Sequence, residues 1–161
     1  MNIRGTDVML LGHAACGALA GMAALWIFVE ALNARAENMR RMRVAAFVAA
    51  ISMAVTWILG GYWYVHSYPT DRKLILGGPW PFAHNVFMES KEHLVFVTGL
   101  LAFYLVIAMR EKIYANAAAR KMVLSVAMLI VLTSVMAEGA GAIIDHGAKI
   151  ALLRGNPGGA K

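Results

Sequence analysis

Five histidines and a few carboxylates, set in an otherwise apolar chain, are the residues that could do chemistry here. His84, Glu89, Glu92 and His93 open one hydrophobic stretch, while His13, His66 and His146 sit near the ends of three others. Neutral imidazole can hold a haem iron or a metal ion, and it exchanges protons near neutral pH. A carboxylate made more basic by burial can accept a proton under the same conditions, which makes Glu89, Glu92 and Glu138 candidate proton acceptors. Glu89 and His93 are four residues apart and so share one helical face. Glu138 and His146, eight apart, come close to doing the same. Either carboxylate could instead orient an imidazole by accepting its second N–H.

The elements that must position these residues are membrane spans. The chain is 60% hydrophobic and 15% charged, with a mean hydropathy of +0.63. Four apolar runs, at 8–32, 44–65, 94–109 and 122–144, approach or exceed the roughly 20 residues a helix needs to cross a bilayer, the third being extended by a helix start near Phe82. The expected fold is an all-α bundle of four transmembrane helices in a single integral membrane domain, 1–161. The helices are expected at about 8–33, 43–67, 82–110 and 121–146, followed by a flexible tail at 147–161. The first run is longer than a signal-peptide core, so it is expected to be retained.

Charge sets the expected orientation. The two short connections on one side, with Glu30, hold eight basic residues, from Arg35 to Lys121, against three acidic ones. The other side holds seven basic and six acidic residues. Basic loops stay in the cytoplasm, so both termini are expected on the outer, periplasmic side of a bacterial inner membrane. The net charge of +6 is thereby explained by topology, and no nucleic-acid partner is expected.

Depth can be counted from those basic anchors. His13 lies 22 residues before Arg35, and His66 lies 23 after Arg43, which puts both roughly 33–35 Å along their helices. His93 and Glu138 are each 17 residues from Arg110 and Lys121, about 26 Å up and within the apolar layer. Every span thus offers a histidine toward its outer end. His13, His66, His93 and His146 are the candidate ligands for a shared group. Haem b is favoured, with His13 and His66 as the axial pair and His93 with His146 as the alternative. Arg72 and Lys73 in the outer connection would meet its propionates. A Zn, Fe or Cu ion held by the same histidines with carboxylates is the second reading, and a structural subunit of a larger complex is the third. The glycines that follow His13 at four-residue steps, Gly17 and Gly21, suit close helix packing as well as a flat cofactor. His66, His84 and His146 also suit ordinary interfacial positions. No C-x-x-C-H occurs, which excludes c-type attachment, and the single Cys16 excludes an internal disulfide.

Four spans bearing outward histidines resemble, at the level of architecture, the small four-helix cytochrome b membrane subunits. That resemblance implies an electron-transfer subunit of an oxidoreductase complex. Its haem would lie near the periplasmic face and exchange electrons with quinol or with a partner subunit or periplasmic cytochrome. The stretch PWPFAHNVFMESKEH at residues 79–93 matches no motif of that family.

Overall fold

A computed structural model describes the backbone of residues 3–155 and the side chains of residues 8–154. The described residues are mostly helical, joined by short turns, with no strand among them. In chain order they form α1 (Ile3–Leu32), a 3₁₀ turn (Ala36–Asn38), α2 (Met39–His66) and α3 (Tyr68–Gly77). A π-helical turn (Ala83–Met88), α4 (Glu89–Ala108) and α5 (Ala117–Gly155) follow. Four helical segments, α1, α2, α4 with its π turn, and α5, are long and apolar enough to cross a membrane, as in an integral membrane protein. α1 packs on α2 and α5, and α4 packs on the same two helices, so the four spans close a square bundle.

Small side chains set the spacing of that bundle at the end carrying the arginine-rich turns. Ala20, Ala24 and Ala31 of α1 meet Ala46 and Ala49 of α2, Ala102 of α4 and Ala127 of α5, all fully buried. Alanines let backbones approach closely where lipid provides no drive to separate oil from water. Met42, Leu105, Ile113 and Ile130 fill what remains. The outer faces carry Leu25, Phe47, Ile58, Phe96, Leu100 and Leu132, all exposed. Helices this apolar all round need a hydrocarbon solvent.

The basic-end turns are capped from within. Asn38 accepts the Arg35 N–H at 2.8 Å and donates to the carbonyls of Glu30 and Asn33 at 3.2 Å, closing the end of α1. Arg43 donates to the carbonyl of Met109 at 3.0 Å, just past the end of α4. Asn116 caps α5 by accepting the N–H groups of Ala118 and Ala119, both at 3.1 Å.

At the opposite end the chain is more ordered than expected. The connection after α2 contains α3, with Pro69 in its first turn. α5 continues to Gly155, so residues 147–155 are helical where a loose tail was expected; residues 156–161 lie outside the described residues. The cause is packing. Gly147 is buried, and a methyl group there would stand 2.9 Å from Ala83 Cβ. Ala151 is 9% exposed, and its side chain lies against Gly78. The last turns of α5 are therefore the floor on which α3 and the π turn rest. Tyr68, Ile75, Ala83, Met88 and Ile144 form a second small core there, separate from the alanine-rich one.

Candidate functional site

Between the two cores the bundle opens. A cavity of about 460 Å³ lies at the histidine end, walled by Leu10, Trp57, Trp63, Val95, Phe96 and Ile144. Its polar groups are few: His13, Thr56, Tyr64, Asp71, Lys91, Glu92 and Asp145. A mostly apolar, aromatic wall with a few convergent polar groups is the usual form of a small-molecule site.

His13 is held at this cavity by two devices. Its Nδ1 lies 3.0 Å from the Thr56 carbonyl, which can only accept, so Nδ1 carries the proton. Nε2 is then an acceptor or a ligand. The imidazole also lies against Gly60, where an added methyl would stand 2.6 Å from Cε1 and 2.7 Å from Nδ1. Glycine at that position is required by the ring. Lys91 is half-buried, and its Nζ would be 2.9 Å from a methyl added at Gly141. Among the described residues the two ion pairs within 4 Å are Arg41–Glu30 and Lys149–Asp145, so Lys91 faces the interior without a direct carboxylate partner.

A smaller chamber of about 20 Å³ lies deeper and is lined by His13, Gly17, Thr56, Lys91, Thr98, Ser134 and Glu138 among others. The glycine stripe of α1 makes room for it. A methyl on Gly17 would stand 2.8 Å from Glu138 Oε1, and one on Gly21 would stand 3.1 Å from Ser134 Cβ.

The other histidines go elsewhere. His66 is exposed on α2, its Nδ1 bonded to the Tyr62 carbonyl at 2.9 Å and its ring stacked on Tyr62 at 4.1 Å. His93 is exposed on α4 with Nδ1 2.7 Å from the Glu89 carbonyl. His146 is exposed and rests against Trp80, ring centres 5.3 Å apart. Of the five, His13 alone lines the two chambers. Haem with paired imidazoles needs two ring nitrogens across one plane, which neither His13 with His66 nor His93 with His146 supplies in either chamber. These residues do not fit haem b held by this chain alone. Among the described residues no three of His, Cys, Asp and Glu gather to hold a metal ion. The carboxylates separate too. All three are exposed; Glu92 lines the outer cavity and Glu138 the inner chamber, while Glu89 lines neither.

His84, expected to be an ordinary interfacial residue, is 4% exposed and sits at the centre of a network. Arg72 Nε donates to its Nε2 at 2.8 Å, which forces the proton onto Nδ1, and Nδ1 donates to the Tyr68 hydroxyl oxygen at 2.9 Å. Arg72 is thereby engaged in locking α3 to the π turn, while Lys73 is exposed on α3. The sequence carries one signal for this: an aromatic, a basic residue and a histidine flanking Gly-Gly-Pro-Trp-Pro, a segment too short to span and too aromatic to be a free loop.

Burial pushes the Tyr68 phenol up to about 12, with the neighbouring Tyr64 adding to the effect. An unfolded tyrosine releases its proton near 10. The folded state therefore holds a proton that the unfolded chain gives up. The stability tied to it is full below about pH 10 and is lost as pH rises through about 12. Tyr68→Phe should flatten the alkaline fall in melting temperature across that window, measured in detergent against the parent protein. An unchanged slope would place the alkaline sensitivity elsewhere. The Asp71 carboxyl is likewise raised, first by burial and then by the charge of Asp145 across the cavity.

Comparison of the chain with family models, curated proteins and solved structures finds no match.

Proposed function

We propose that this chain is a membrane subunit of an oxidoreductase that binds a quinol-class ring compound in the cavity around His13. The supporting observation is that one cavity joins an aromatic wall to an imidazole with its Nε2 left free to accept a hydrogen bond. A quinol is an apolar ring bearing hydroxyl groups. Its ring suits Trp57 and Phe96, and a hydroxyl suits His13 Nε2, with Lys91 close enough to line the same space. Glu92 and Asp145 at the cavity give the head group a polar exit. The electron carrier belongs, in this reading, to a partner subunit or a periplasmic cytochrome, as the resemblance to four-helix cytochrome b subunits implies. In this reading the cavity and both termini lie on the outer, periplasmic side of a bacterial inner membrane, which the excess of basic residues at the opposite end supports.

The test is binding. A short-chain quinone titrated into the full chain in nanodiscs should quench tryptophan fluorescence saturably, through Trp57. His13→Ala should weaken that binding at least tenfold, which is about 1.4 kcal/mol, while His66→Ala and His93→Ala should leave it unchanged. Non-saturable quenching, or equal loss in all three variants, would sink the reading.

A further inference from the structure

The inner chamber is built from all four spans, and it contains polar groups left without partners. Thr56 is 3% exposed and its Oγ1 makes no hydrogen bond; nor does Ser134 Oγ, also buried. Neighbouring hydroxyls show how readily such groups are satisfied: Thr98 donates to the Leu94 carbonyl at 2.6 Å and meets Thr133 at 2.7 Å. A buried hydroxyl without a partner costs about 1–3 kcal/mol, so two of them lining one void mark a place for something polar. The void measures about 20 Å³. One water needs at least roughly 10–15 Å³ on this measure and two to four polar partners. The chamber meets both requirements for a single molecule, and two waters would not fit.

His13 lines both the outer cavity and this chamber, and Glu138 lies at the chamber's other side over Gly17. We propose that the chamber holds one water, and that His13, this water and Glu138 form a path carrying a proton from the outer cavity to the Glu138 carboxylate, which lines the chamber from the exposed side of α5. The step balances simply. Nε2 of His13 accepts a proton from a hydroxyl in the cavity, then releases it to the water, and the water passes one of its own protons to the Glu138 carboxylate. One proton moves and no electron does. Facing Glu138 are Lys91 of α4 and His13 of α1; α2 offers the Thr56 hydroxyl and α5 its own Ser134. Lys91, unpaired within 4 Å, supplies the positive field that makes a carboxylate tolerable there. The path rests on the quinol reading only for the identity of the proton donor.

The experiment is infrared difference spectroscopy of the full chain in nanodiscs between acid and alkaline pH, with no quinone added. The carbonyl stretch of a protonated carboxylic acid should be lost in Glu138→Gln. It should shift in Thr56→Val, which keeps the shape and removes the hydroxyl, and in Gly17→Ala, which fills the chamber and keeps every polar group. A water O–H band that moves in H₂¹⁸O should disappear in Thr56→Val combined with Ser134→Ala. A carboxyl band that survives Glu138→Gln, or one that stays fixed in both Thr56→Val and Gly17→Ala, would overturn the path. Shifted bands without saturable quinone binding would leave the path standing and remove the quinol reading. Quinone binding lost in His13→Ala with bands that never move would do the reverse.

Discussion

Trp57→Ala should lower the stability of the bundle by about 3–5 kcal/mol, the usual cost of deleting a packed indole. Away from the cavity the ring is held by several contacts. It stacks on Phe96 at 5.7 Å, meets Phe103 edge-on at 5.8 Å, and donates from Nε1 to the Val95 carbonyl at 3.1 Å. Its far edge lies over Gly99, which is buried, and a methyl group added at Gly99 would overlap the indole. The two positions are therefore coupled. Gly99→Ala alone should cost about 1–3 kcal/mol through overpacking, yet it should be close to neutral once Trp57 is alanine. A double-mutant cycle by thermal unfolding in detergent measures this coupling directly. Additive effects would mean that α4 reaches α2 by some contact other than the indole over the glycine.

His84→Ala should cost about 1–3 kcal/mol, and the loss should be local. Removing the imidazole leaves a guanidinium donor and a phenol facing each other beneath α3 with nothing between them. The π turn is what makes the site possible: its wider winding turns His84 inward, 4% exposed, while the next residue, Asn85, is exposed. Hydrogen exchange should rise in residues 68–77 and stay unchanged at the alanine-rich end. His84→Phe retains bulk but loses both hydrogen bonds, so it separates packing from polarity. If His84→Phe matched the parent in exchange, the network would be ornamental to the docking of α3.

The spans themselves were legible because each is an uninterrupted apolar run bounded by arginines or aromatic residues, a pattern that leaves a helix little alternative in lipid. Depth was legible in part: counting from the basic anchors put Glu138 deeper than His13, and of the two only His13 reaches the outer cavity, while both line the inner chamber. Rotation about the helix axis was not. Apolar residues cover every face of these helices, so no stripe tells which way a histidine points. That is why His66 and His93 could not be told from His13 before the neighbours were known. His84 was hidden for a related reason, since an extra residue per turn shifts everything after Pro81 by an angle that spacing cannot reveal. Gly147 looked like a break because glycine usually is one; here it lets α5 pass Ala83. Thr56 and Ser134 carried no signal beyond being hydroxyls in apolar segments, and their importance comes from lining one void without partners.

The division of this molecule into a dense end and a hollow end also determines how it yields to force. Alanine-on-alanine contacts leave little free volume to surrender, so the arginine-rich half should be nearly incompressible. Contraction of the bundle interior under hydrostatic pressure should be larger in the opposite half, where water can be driven against Trp57 and into the space beside Gly17. Spontaneous breathing would be confined in the same way, allowing a guest to enter from one leaflet while the turns at the other stay still.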